Sequence, residues 1–135
     1  MHTKKLLLSL LLSGITTLCF AENLTIDNQT SYPDKAQHSK IAIQWAASAK
    51  EVNALNHAIM DGSELNLDSM KTLTQSGKVT LDIPEKAECF RVIAWSKEGQ
   101  EPDLLTNWVD IVPNKTYTLK ADHLVPLVLM SGTGC

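Results

Sequence analysis

The chain has 135 residues, 44% of them hydrophobic and 20% charged, with twelve basic and fifteen acidic side chains and a formal net charge of -3. That length builds one hydrophobic core and is too short for two. The acidic balance, with no clustered Lys/Arg stretch, repels a polyphosphate backbone and argues against nucleic acid as a partner.

Met1-His2-Thr3-Lys4-Lys5 is a basic start, residues 6–12 are apolar except for Ser9, and Cys19-Phe20-Ala21 precedes Glu22. A basic segment, a short apolar segment and small residues at the minus-three and minus-one positions are the parts of a secretory signal peptide, so cleavage is expected between Ala21 and Glu22. The apolar run is short for a span of about 20 residues. No later run reaches that length, and the processed chain is expected to have no membrane span and to be periplasmic or secreted. Cleavage removes Lys4 and Lys5 but no acidic residue, leaving ten basic against fifteen acidic side chains.

Only Cys89 and Cys135 remain after the leader is removed. In an oxidising compartment an even count favours a disulfide between them. The closed loop of about 47 residues is worth about 4 kcal/mol in chain entropy. A free thiol on the tail, or a bridge between two chains, is the alternative.

Beyond the leader, residues 24–27 alternate apolar and polar and run into a turn-rich segment ending at Asp34. Residues 41–45 alternate again, with Ile41, Ile43 and Trp45 on one face. The period then changes: Val52, Leu55, Ile59 and Met60 recur at helical spacing, behind a capping box made by Ser48 and Glu51 and ahead of a stop at Asp61-Gly62. This predicts one helix over residues 48–60. Short strands are expected within residues 65–67 and 70–74, with a second helical turn begun at Asp68 as the alternative, and a clear alternating strand over residues 79–83 that ends at Pro84.

Residues 89–95, Cys-Phe-Arg-Val-Ile-Ala-Trp, are apolar on both faces. Phe90, Val92 and Ala94 face one way, and Cys89, Arg91, Ile93 and Trp95 the other. Such a strand belongs in the middle of a sheet covered on both sides. Residues 107–112 and 116–120 form two further strands around the turn at Pro113, and the short connection predicts that they pair as a hairpin. Residues 124–130 are the most apolar run of the processed chain and are expected to be covered, with Pro126 favouring an edge or bulge.

Short strands, turn signals between them and no regular alternation with helices predict a mainly β fold. The expected form is an antiparallel two-sheet sandwich, immunoglobulin-like, carrying one helix near residues 48–60. A small barrel is the second choice.

His38, His57 and His123 lie in separate segments, and neither a zinc spacing nor a Gly-x-Ser-x-Gly elbow occurs, so no metal, cofactor or catalytic residue is assigned. Arg91 is expected to pair with a carboxylate such as Asp82 or Asp110 from a neighbouring strand. Trp108, Arg91 and His38 are the candidate binding-surface residues. Together these features suggest a non-enzymatic interaction domain for a protein or glycan, with self-association through the C-terminal strand as a further mode. An enzyme or enzyme inhibitor working through residues 30–39 and 96–107 is the alternative.

Overall fold

In the computed structural model, which describes residues 22–62, 65–98 and 101–130, the chain folds around its fifth strand. The leader expected at residues 1–21, Cys135 and the bridge drawn to it lie outside the described residues. In chain order the strands are β1 (Asn23–Asn28), β2 (Lys40–Ala46), β3 (Met70–Leu73), β4 (Gly77–Asp82), β5 (Cys89–Trp95), β6 (Leu104–Leu105), β7 (Val109–Asp110), β8 (Thr116–Leu119) and β9 (Val125–Pro126). One α-helix, α1 (Ala49–Met60), follows β2.

Two sheets result, one ordered β4-β1-β8 and the other β3-β2-β5-β6-β9, with β7 also pairing β5. The fold is a mainly β, two-sheet sandwich with one helix. β1 pairs with β4 in one sheet while β2 pairs with β5 in the other, so the chain crosses between the sheets from β1 to β2 and again from β4 to β5. One pairing departs from the antiparallel expectation. β8 runs parallel to β1, with Ile26 opposite Tyr117 and Asn28 opposite Leu119.

The strand faces follow the alternation in the sequence. Leu24, Ile26, Ile41, Ile43, Leu81, Phe90, Val92, Ala94 and Leu119 meet between the sheets. The other face of the larger sheet carries a second core, Ala42, Met70, Ile93, Trp95 and Leu105 with Ile59 of α1 laid over it. Leu127 packs there too. These layers explain why β5 is apolar on both faces: one face meets the opposite sheet, the other meets the helix and Leu127.

α1 starts where the capping pattern places it. Ser48 is extended, and its hydroxyl accepts from Glu51 N at 3.2 Å. Glu51 reaches back one residue beyond the cap, accepting from Ala47 N at 3.0 Å. Ser48→Ala removes one of these two acceptors and should lower stability by about 1 kcal/mol in a urea titration followed by circular dichroism.

Three expectations for the second half of the chain are corrected. The strand expected over residues 107–112 shrinks to Val109–Asp110, and a further short strand, β6, precedes it: Ile93 faces Leu105 and Phe90 faces Val109, so the partner side holds one extra residue, a bulge between β6 and β7. Thr106 fills it, its N–H donating to Val92 O and its hydroxyl accepting from Val92 N at 3.0 Å. The expected hairpin is an arch between sheets, because β7 stays with β5 while β8 joins β1. Pro113 cannot donate, Asn114 takes a positive φ of 67°, and the Tyr117 hydroxyl ties the arch by donating to Asp110 O and accepting from Val112 N.

The C-terminal run is the third correction. Only Val125–Pro126 is strand, and it pairs with β6 of its own chain before a 3₁₀ turn over Leu127–Met130. Leu124 joins the inter-sheet core and Leu127, three residues on, joins the second core, as an odd spacing across the extended pair Val125–Pro126 places them on opposite faces. Val128 and Leu129 remain 75% and 63% exposed rather than covered. After α1, residues 65–67 form no strand, and a 3₁₀ turn at Leu67–Ser69 leads into β3.

Candidate functional site

Two places concentrate chemistry, and the sequence pointed clearly to one of them. Arg91 lies on the helix-facing side of β5 and is only 2% exposed. The ion pair expected with Asp82 or Asp110 is not made. Among the described residues no carboxylate bonds the guanidinium, which instead donates to three neutral oxygens: Nε to Gln44 Oε1 at 2.7 Å, Nη1 to Asn56 Oδ1 at 2.9 Å and Nη2 to Leu55 O at 3.3 Å.

Gln44 is directly opposite Arg91 on β2, whereas Leu55 and Asn56 come from α1. The neutral partners follow from topology. Asp82 lies on β4 in the other sheet, and Asp110, although it shares the helix-facing side with Arg91, stands opposite Cys89 at the exposed end of the pairing, whereas Gln44 is directly opposite Arg91. Loss of water holds the Arg91 guanidinium down to about 10. At neutral pH the buried cation is stabilised by dipoles and by the Trp108 ring, whose centroid lies 4.5 Å from the guanidinium carbon.

Trp108 also donates from Nε1 to Asn56 Oδ1 at 3.0 Å, so one amide oxygen serves both residues. The structure thus brings Arg91 and Trp108 together. Asn56 is not among the candidate residues that the sequence singles out. Its spacing held the signal, since Val52, Asn56 and Ile59 fall on one helical stripe.

His38 belongs elsewhere. It caps a 3₁₀ turn at φ 55°, beyond the end of the larger sheet where Lys40 faces Trp95, while Gln44 and Arg91 pair nearer the opposite end. Its Nδ1 lies 3.8 Å from Glu98 Oε1, outside hydrogen-bond reach, with both side chains exposed. Glu98 N donates to Gln37 O, so the two loops named for an enzymatic edge do meet there. His123 accepts from Lys120 N at 3.1 Å within its own turn, and His57 is exposed on α1. Among the described residues no three His, Cys, Asp or Glu side chains group as metal ligands.

Cys89 is half-buried, its thiol directed at Ala46 O at 3.8 Å. Burial first, and then the carboxylates of Asp110, Glu88 and Glu51, push the thiol above its usual range. The thiolate is the nucleophile, and a raised pKa keeps its fraction small below pH 9. In the reduced protein at pH 8, iodoacetamide should modify Cys89 several-fold more slowly than in the urea-unfolded chain. Peptide mass spectrometry over time reads the two rates.

The second place is the open flank. β3 ends the larger sheet and β4 ends the smaller, and both ends fall on the same side of the sandwich. Between them lies a cleft of about 590 Å³ lined by Trp45, Met70 and Leu81 with Asp68, Lys71, Thr80 and Asp82 at its rim. Half-buried Trp45 contacts the core through Phe90, with ring centroids 6.3 Å apart.

Main-chain groups line this flank as well. Ile83 N donates to Glu22 O at 2.9 Å, which fixes the parity of the β1–β4 ladder. Leu81 and Val79 therefore turn their peptide groups toward β1, and Lys78, Thr80 and Asp82 turn theirs outward, with no strand beyond them among the described residues. The arrangement suits recognition of extended polypeptide: an apolar floor, polar rims and a row of free donors and acceptors. Among the described residues no helix is long and apolar enough to cross a membrane. No protein-family model matches the chain, and no curated protein matches it in sequence.

Proposed function

We propose that this protein is a non-enzymatic interaction domain of the bacterial envelope or extracellular space, which binds a protein partner by accepting an extended strand along the β3–β4 flank. The observation that carries the reading is the row of outward peptide groups at Lys78, Thr80 and Asp82, without a strand partner among the described residues, beside the Trp45 cleft. A glycan would use the cleft but has no need of that row, so protein is the preferred class. Export rests on the basic and apolar leader ending at Ala21. A Cys89–Cys135 bridge belongs to the same reading, and an intact mass about 2 Da below the reduced value would register it.

Thr80→Pro tests the surface. The Thr80 N–H points away from β1, so proline there removes an outward donor while keeping the β1–β4 ladder. With a photo-crosslinking residue at Thr72 and the full chain produced in a bacterium, the processed protein should appear outside the cytoplasm. It should form discrete crosslinked species that Thr80→Pro abolishes. Retention of an unprocessed chain in the cytoplasm, or crosslinks indifferent to Thr80→Pro, would overturn the reading.

A further inference from the structure

The free edge of β4 has a symmetry visible in its residues. Lys78 and Asp82 carry opposite charges, sit two residues either side of Thr80, and are all exposed on the outer face of the strand. The same three residues hold the outward peptide groups. A two-fold axis perpendicular to the sheet at Thr80 brings two such edges together antiparallel. Lys78 of each copy then stands opposite Asp82 of the other, and Thr80 opposite Thr80.

All three positions fall in the hydrogen-bonded class, because their N–H and C=O groups share one direction. The pairing forms about six main-chain hydrogen bonds and two cross-strand ion pairs, and joins the two three-stranded sheets into one. We propose that the strand accepted at this flank is β4 of a second copy of this chain, in an isologous dimer centred on Thr80. The proposal rests on the function proposed above and names the partner at that surface.

Two features favour a second copy over an unrelated strand. Isologous contacts require a surface complementary to itself, and opposite charges placed symmetrically about one residue meet that requirement. β3 lacks it: its outward positions by the same ladder rule are Met70 and Thr72, with no opposed charges. The dimer also sets each Trp45 cleft facing the other copy. Charged residues can instead guard an edge against pairing, and that reading predicts the opposite result in solution.

The experiment is sedimentation equilibrium on the purified, processed protein in reducing buffer, which removes any intermolecular disulfide. The wild type should self-associate, more weakly as salt rises. Lys78→Glu sets Glu opposite Asp82 twice per dimer, and Asp82→Lys sets Lys opposite Lys78. Each should weaken dimerisation about tenfold or more, since two attractions become two repulsions. An equimolar mixture of the two variants places Glu and Asp of one chain against the lysines of the other and should restore association, as should the double swap. A wild type that stays monomeric at millimolar concentration overturns the dimer, as does a dimer indifferent to both reversals. Neither result touches a Thr80-dependent crosslink to a different protein, so the two proposals fail separately.

Discussion

Arg91→Met should lower the free energy of unfolding by about 3 kcal/mol, measured by urea titration with tryptophan fluorescence. The substitution retains much of the buried aliphatic volume but removes three hydrogen bonds and the contact with Trp108. Gln44, 4% exposed, would be left with a buried oxygen facing methionine. An unsatisfied buried acceptor costs about 1–3 kcal/mol, and a hydrogen bond to a charged donor is worth about 1.5–3. Against a typical stability of about 5–15 kcal/mol this is a severe loss.

The double variant Arg91→Met with Gln44→Leu removes donor and acceptor together and should recover at least about 1 kcal/mol of that loss. Additive single effects would show that the pair is not coupled. The pH dependence has a definite sign. The folded-state pKa of Arg91, about 10, lies below its unfolded value, so both states hold the proton at neutral pH and Arg91 contributes no slope there. Only above about pH 10 would the folded state release its proton first, and stability attributable to Arg91 then rises with pH. The wild type and Arg91→Met should therefore differ by a constant amount between about pH 6 and 9.

Phe90→Ala should cost about 3–5 kcal/mol. Phe90 is 3% exposed and stands between the two aromatic residues that connect the layers, packed edge-on against Tyr117 at 5.1 Å and tilted toward Trp45. Truncation leaves a cavity between sheets that close-packed neighbours on β2 and β8 fill only in part. Trp45 also floors the flank cleft, so the variant should shift tryptophan emission in the folded state as well as lower the urea midpoint. A loss below about 1 kcal/mol would mean that the core rearranges around the gap.

The strands that could be read in advance are those with one face per period. Ile41, Ile43 and Trp45, or Tyr117 and Leu119, declare their inward side by alternation alone, and Ser48 marks the helix start by its chemistry. Elsewhere the deciding interaction is distant in sequence. The bulge after Leu105 contains no glycine to announce it and depends on Thr106 bonding across to Val92. The arch at Asn114 shares its length with a hairpin, and only the pairing of β8 with β1 separates the two.

Arg91 shows the same limit at the candidate site. Periodicity gives its face correctly, but its partners are set by where α1 lands. Asn28 is a further case. In the sequence it resembles an ordinary turn residue, whereas it is 1% exposed, accepting from Thr30 N and Thr30 Oγ1 and donating to Tyr32 O. The β4 edge was legible as a strand, but its outward parity required the ladder.

The parallel contact between β1 and β8 ties the earliest strand to one of the last. As the polypeptide emerges from the ribosome, Leu24 and Ile26 must wait for residues 116–119 before their sheet acquires its third member. Contacts so far apart along the chain make assembly slow and leave apolar strands without their final neighbours until residues 116–119 have been made.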